Sequence, residues 1–128
     1  FDLHGLAGAG QRIALATDTG GGSSFSMLRT MAAAYEIGQL RGTAHHPAAL
    51  LWLATEGSAR ALHEADALGG LDPGRMADFI ALDLGSTPAI AQAAARAEDI
   101  WQALFPTIML GDDRAVIGTW VAGRRLKG

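Results

Sequence analysis

The first hydrophobic segment of this chain is a short run that is apolar at every position. Ile13 to Ala16 precede Thr17 and Asp18, and after Thr19 come three glycines and two serines. A short apolar run bounded by turn residues is typical of a strand buried on both faces, the kind found in parallel sheets. Because loops at the carboxyl ends of such strands carry functional groups, Asp18 is the first candidate for chemistry.

Three longer stretches have the apolar spacing of amphipathic helices, with intervals of three and four residues. Ser24 is expected to cap the first helix and Gly42 to end it. Pro47 falls in the first turn of the second, while the third begins at residues 87–88 and is expected to end at Pro106. The three apolar faces consist of Leu28, Met31 and Tyr35; of Leu50, Leu51, Ala54, Ala61 and Leu62; and of Ile90, Ala94, Ala97, Trp101 and Leu104.

The remaining apolar segments are short and predict strands. They occupy residues 76–84, 107–110 and 115–121. A tight turn at Ala122-Gly123 follows the last of them. The basic run at 124–127 comes next, and we expect it to be a solvated tail.

The apolar run at 13–17 needs more covering surface than the following segments provide. A strand buried on both faces requires neighbouring strands, and the helices and short strands that follow do not supply them. The chain also begins with Phe1 rather than Met. These two observations predict a fragment or processed product that lacks an N-terminal portion.

Composition narrows the class of protein. The 128 residues have a net charge of −3 with scattered basic positions, which predicts neither nucleic acid nor an anionic membrane as a partner. No apolar run approaches the length of a membrane span. The absence of cysteine excludes disulfides, thiolate metal sites and a cysteine nucleophile, and fits a reducing cytoplasm.

The four histidines do not form a metal-binding pattern. His45 and His46 are adjacent, so their side chains point in different directions and one metal rarely uses both. His4, beside Gly5, is expected in a loop and has no second histidine at a helical or strand spacing, and His63 falls near a predicted helix end. We therefore expect structural roles for all of them.

Several segments resemble one enzyme family. Residues 14–28, ALATDTGGGSSFSML, look like the last barrel strand and following helix of guanine deaminases, in the metal-dependent amidohydrolase superfamily. Residues 71–79, LDPGRMADF, resemble the superfamily's more general return into its small β domain. Residues 110–116, LGDDRAV, and 121–124, VAGR, are similar to the end of guanine deaminases in particular.

The resemblance implies an α/β fold: a (β/α)8 TIM barrel with a small β-sandwich built from both chain ends. On this reading, residues 1–70 are the C-terminal end of the barrel, and residues 71–128 are part of the β-sandwich, with a helix inserted near 88–105. The expected enzyme is a cytoplasmic homodimer of purine catabolism that acts on guanine, and the missing N-terminal part of the barrel is the other partner.

The resemblance also implies a mononuclear zinc site with a His-x-His pair, two further histidines and one aspartate. Only the aspartate maps onto this sequence, as Asp18, which is therefore the expected metal ligand and catalytic residue. Zinc lowers the pKa of bound water from its ordinary value toward about 7, and a carboxylate beside it can accept the proton. Hydroxide then adds to C2 of guanine, and ammonia leaves to give xanthine.

The loop at Asp18 has other interpretations. Asp18 could simply form a turn or cap a helix. The glycines at 20–22 could cradle an anion at a helix N-terminus, but no Gly-Lys-Ser/Thr follows them, which excludes a nucleotide P-loop. The preferred interpretation is a close approach of the backbone to the site.

Two alternatives to the deaminase belong to other classes of protein, a protease and a fragment without activity. Asp18-Thr19-Gly20 and Val116-Ile117-Gly118 resemble the two elements of a retropepsin-like aspartic protease, although that all-β fold conflicts with the helical spacing. Alternatively, the chain is an inert structural fragment, because it supplies a single zinc ligand and cannot deaminate alone.

Overall fold

The structure is a computed structural model that describes residues 2–127, so Phe1 and Gly128 lie outside the described residues. Helices form most of its regular structure. None of the helices in the described part is long and apolar enough to cross a membrane. The helices are α1 (Leu3–Gly8), α2 (Met27–Leu40), α3 (Pro47–Ala54), α4 (Glu56–Ala61), α5 (Pro88–Ala94) and α6 (Ile100–Leu110), with a 3₁₀ turn at Asp113–Ala115.

Three antiparallel strands, β1 (Phe79–Leu82), β2 (Val116–Val121) and β3 (Arg124–Lys127), form a sheet in the order β1-β2-β3. The predicted strands at 76–84 and 115–121 are confirmed as β1 and β2. The basic run is not a solvated tail, because its backbone pairs with β2 as β3.

The turn between β2 and β3 has a local cause. Ala122 and Gly123 both have positive φ angles, 48° and 75°, as the two central residues of a type I′ hairpin turn require. The carboxylate of Asp78, just before β1, accepts a hydrogen bond from the Ala122 amide at 2.6 Å. The hairpin is thereby connected to the segment that leads into the sheet.

The core lies where α2, α3 and α6 meet. Leu50 and Ile108 are almost completely buried, and Ala115 extends the core to the start of β2. The cluster therefore joins residues from both sides of position 70. Its buried members are Leu28, Met31, Leu50, Leu104, Ile108 and Ala115.

The strand predicted at 107–110 is wrong, because these residues are the last turn of α6. Pro106 lies inside the helix rather than at its end. Proline costs a helix one hydrogen bond. Here the helix continues because Thr107 and Ile108 are buried against the rest of the core, and tertiary packing outweighs the local preference.

The second and third predicted helices are each divided in two. The second breaks at Thr55, whose φ and ψ of −129° and −100° are not helical, and Gly57 packs closely against the Trp52 ring on the other side of the break. Leu62, which was expected on the apolar face of this helix, is 70% exposed to solvent. The third breaks between α5 and α6, where Asp99 caps α6 by accepting a hydrogen bond from the Gln102 amide at 2.8 Å.

The predicted strand at 13–16 does not form within the described residues. The segment pairs with no strand; instead the Leu15 amide donates to the Leu53 carbonyl at 3.1 Å. Ile13 and Leu15 are half-buried while Ala14 and Ala16 are exposed, so the described residues do not cover both faces of the segment. A strand needs a neighbour to satisfy its backbone, and the part of the chain described here provides none.

The described residues contain both helices and a β-sheet, in agreement with the predicted α/β class.

Candidate functional site

Asp18 lies at the start of a tight turn that follows the irregular segment at 11–17. Its φ angle of 50° is in the left-handed region, which is uncommon for a residue other than glycine. The carbonyl oxygen of Asp18 accepts hydrogen bonds from the amides of Gly21 and Gly22, at 2.9 Å and 2.5 Å. These two glycine amides therefore fix the position of the Asp18 backbone within the turn.

The glycines of this turn are needed for different reasons. A Cβ atom on Gly22 would lie 1.8 Å from the carbonyl oxygen of Thr17, which is much closer than two non-bonded atoms can approach. Gly20 has a φ of 96°, which disfavours other residues. The close contact at Gly22 lies within the turn itself, and the predicted approach of this backbone to the site stays a prediction.

The carboxylate of Asp18 is exposed and lies over Gly21. A Cβ atom on Gly21 would be 2.7 Å from Oδ2 of Asp18. The residue itself is exposed to solvent. The carboxylate is thus available to a ligand or to a part of the protein outside this chain.

The segment that carries Asp18 is attached to the end of α3. The Leu53 carbonyl, which the break at Thr55 leaves without a helical partner, accepts hydrogen bonds from the Leu15 amide at 3.1 Å and from Oγ of Ser58 at 2.7 Å. This attachment fixes the chain three residues before Asp18. Sequence reasoning missed Ser58, because its role depends on the helix break.

The histidines lie at separate places in the structure. His4 lies in α1, where a loop was expected, and His45 packs against Gly38. His46 caps α3, since Nδ1 accepts a hydrogen bond from the Ala48 amide at 3.2 Å. His63, with a φ of 62°, has its Nδ1 2.9 Å from a guanidinium nitrogen of Arg12.

The implied zinc ion has one expected ligand among the described residues, Asp18. Structural zinc sites use about four protein ligands and catalytic sites about three. Among residues 2–127, no group of three or more His, Cys, Asp or Glu side chains is placed to hold a metal. Asp18 is chemically suited to one ligand position, but the described residues do not form a zinc site by themselves.

A separate cluster of polar side chains joins the start of α4 to the connector between α4 and β1, residues 62–78. The Glu56 carboxylate accepts hydrogen bonds from Arg75 and, at 2.9 Å, from Arg60. The hydrogen bond from Arg75 lowers the pKa of Glu56. Arg75 also donates to the Leu68 carbonyl at 3.2 Å, so it binds the connector to the start of α4. These contacts are structural, and sequence reasoning did not anticipate them.

An apolar groove of about 940 Å³ separates the start of α2 from the sheet. Asp18 is not among its lining residues, so the groove and the Asp18 turn are separate features. Residues along it include Phe25, Met27, Phe79, Ile80 and Trp120.

The sequence matches the amidohydrolase family over residues 1–126. The chain belongs to the amidohydrolase family. This membership, together with six helices in the described part, shows that the retropepsin-like alternative is wrong.

Relatives of this amidohydrolase chain include two proteins named as guanine deaminases. The guanine deaminase of Escherichia coli is 34% identical over 113 residues, which are 88% of this chain and 26% of that protein. A probable guanine deaminase of Deinococcus radiodurans is 39% identical over 128 residues, covering 96% of this chain and 29% of the relative. An imidazolonepropionase of Nocardia farcinica is 39% identical over 85 residues, covering 66% of this chain and 21% of the relative.

The fold agrees with the sequence comparison. A solved structure of the Escherichia coli guanine deaminase superposes with a TM-score of 0.86 at 34% identity, covering 90% of this chain and 27% of that structure. The amidohydrolase chain therefore spans between a fifth and a third of the length of these relatives.

Proposed function

We propose that the protein to which this chain belongs is a guanine deaminase, which converts guanine and water to xanthine and ammonia. One observation carries the proposal. Similarity to the Escherichia coli and Deinococcus radiodurans proteins extends over 88% and 96% of the chain, whereas similarity to the imidazolonepropionase covers 66%. The longer match includes the segment around 110–124, where the sequence resembles guanine deaminases in particular.

This chain would supply the C-terminal end of the barrel, residues 1–70, and part of the small β-sandwich, residues 71–128. Large apolar side chains are exposed in both parts, with Leu40 at 83% and Leu71 at 76%. Such exposure is expected where other parts of a protein pack. The homodimer, the cytoplasmic location and the role in purine catabolism follow from the resemblance and remain predictions.

Asp18 is the proposed catalytic residue and one metal ligand. Its exposed carboxylate at the end of the 13–17 segment supports the role, because a general base must be accessible to the proton that it removes. It would accept a proton from the attacking water and pass it to the leaving amine nitrogen. The remaining zinc ligands would come from outside this chain.

A second candidate activity is that of an imidazolonepropionase. The relative from Nocardia farcinica has the same 39% identity as the Deinococcus radiodurans protein, but over a shorter segment. The two activities differ in substrate, so assays of one protein preparation separate them.

The test is to co-express this chain with the N-terminal part of the protein to which it belongs, and to assay the complex for deamination of guanine. We expect conversion of guanine to xanthine, followed by absorbance, with little activity on adenine or cytosine. A site built to pair polar groups of guanine leaves them unpaired with adenine, which can cost a factor of about 10⁴. Turnover of imidazolone propionate without turnover of guanine would overturn the proposal.

The inert-fragment alternative concerns the chain by itself. With Phe25 80% exposed and Leu40 83% exposed, the isolated chain should self-associate. Analytical ultracentrifugation of the chain alone and of the co-expressed complex would compare the two states. If the complex is active and the chain alone is not, the chain is inert by itself and requires its partner. Activity of the chain alone would contradict the inert-fragment alternative.

A further inference from the structure

Gly21 lies directly beneath the carboxylate of Asp18. A Cβ atom on Gly21 would be 2.7 Å from Oδ2 and 3.3 Å from Cγ of Asp18. The backbone of Gly21 does not have a positive φ angle, unlike that of Gly20. An alanine is therefore compatible with the backbone at position 21 but not with the present direction of the Asp18 side chain.

We propose that Gly21 is a positioning residue for Asp18: its missing side chain leaves the space in which the carboxylate lies. The inference rests on the proposed catalytic role of Asp18. Gly20 and Gly22 differ from Gly21, because they are required by the backbone of the turn, through a φ of 96° and through contact with the Thr17 carbonyl. At position 21, the absence of a side chain affects the direction of the Asp18 side chain and not the backbone of the turn.

The physical consequence of a methyl group at position 21 is local. The atom that it meets first is the far end of a flexible side chain, which can rotate to another staggered conformation at small cost. The turn itself is maintained by the hydrogen bonds to the Asp18 carbonyl. The fold should therefore survive while the carboxylate moves, and a misplacement of about 1 Å can reduce a rate by roughly 10²-fold.

The experiment compares four variants of the co-expressed complex: Gly21→Ala, Asp18→Asn, the double variant, and Gly8→Ala. Gly8 is a matched control, since nothing lies within 4 Å of its Cβ position and its φ is not positive. We expect Gly21→Ala to lower kcat for guanine by roughly 10²-fold with KM and the thermal midpoint unchanged. Gly8→Ala should match the unsubstituted complex.

The double variant separates positioning from a general structural effect. If Gly21 acts through Asp18, adding Gly21→Ala to Asp18→Asn should cause little further loss of kcat. A crystal structure of the Gly21→Ala complex should show the Asp18 carboxylate rotated away over an unchanged backbone, and this reading holds even where residual activity is too low to measure.

Three outcomes would overturn the inference. A normal kcat in Gly21→Ala beside a large loss in Asp18→Asn would refute the role of Gly21 and leave that of Asp18 intact. A lowered midpoint, with losses that add in the double variant, would make Gly21 merely structural. A normal kcat in Asp18→Asn would refute both the inference and the proposed role of Asp18.

Discussion

Gly22 and Thr17 approach so closely that a Cβ atom on Gly22 would lie 1.8 Å from the Thr17 carbonyl oxygen. The atom in conflict belongs to the backbone, so it cannot move aside as a side chain can. This contact brings the two ends of the Asp18 turn together, and it makes position 22 the most restricted of the glycines there.

Gly22→Ala should therefore lower the free energy of unfolding of the co-expressed complex by about 1–3 kcal/mol, because the turn must open or strain. Chemical denaturation would measure the loss. Gly21→Ala, one residue away, is the matched control and should leave stability nearly unchanged. Equal losses in the two variants would contradict this account of the turn.

Asp18→Asn keeps the size of the side chain and removes its charge. We expect kcat for guanine to fall by roughly 10²–10⁴-fold, the usual contribution of a general acid–base group. Steady-state kinetics on the co-expressed complex would show it. Asp66→Asn, at an exposed position on the connector, should have no such effect. Near-normal turnover by a zinc-loaded Asn variant would exclude Asp18 as the base.

Thr107→Val should stabilise the protein. Thr107 is fully buried in α6, and its hydroxyl has no hydrogen-bond partner among the described residues. Valine has a similar shape without the unsatisfied hydroxyl, so the free energy of unfolding should rise by about 1 kcal/mol. Thr107→Ser keeps the hydroxyl and loses a methyl group, so it should destabilise. A loss of stability in the Val variant would indicate a hidden partner for the hydroxyl.

The Asp112–Arg114 pair should be visible in an acid titration. Hydrogen bonds from the Arg114 guanidinium, at 2.7 Å to Oδ2, and from the Arg114 amide lower the pKa of Asp112 from 3.8 to about 2. Because the folded pKa is depressed, the pair stabilises the protein above pH 3.8, and this contribution is lost as the pH falls toward about 2.

Substitution tests the cause of this depressed pKa. Arg114→Gln should raise the pKa of Asp112 toward its ordinary value, as measured by NMR titration of the carboxyl carbon, whereas Arg124→Gln on β3 should not change it. A pKa that is equally low after Arg114→Gln would assign the effect to the backbone hydrogen bond alone.

Local patterns in the sequence predicted the helix that became α2, the strands that became β1 and β2, and the turn at Ala122-Gly123. These features depend on spacing and turn residues within a few positions. The same reasoning singled out Asp18, because it follows an apolar run at the position where loops carry functional groups. What it could not show is where that carboxylate points.

Packing between distant segments decided the rest. Pro106 remains inside α6 because its neighbours Thr107 and Ile108 are buried, and the break at Thr55 leaves the Leu53 carbonyl for Leu15. The run at 13–16 does not form a strand, since a strand is completed by hydrogen bonds to a neighbour. The sequence by itself determined the local turns and apolar faces, while the tertiary structure decided the helix breaks and the direction of Asp18, because these depend on contacts between atoms that the local pattern does not contain.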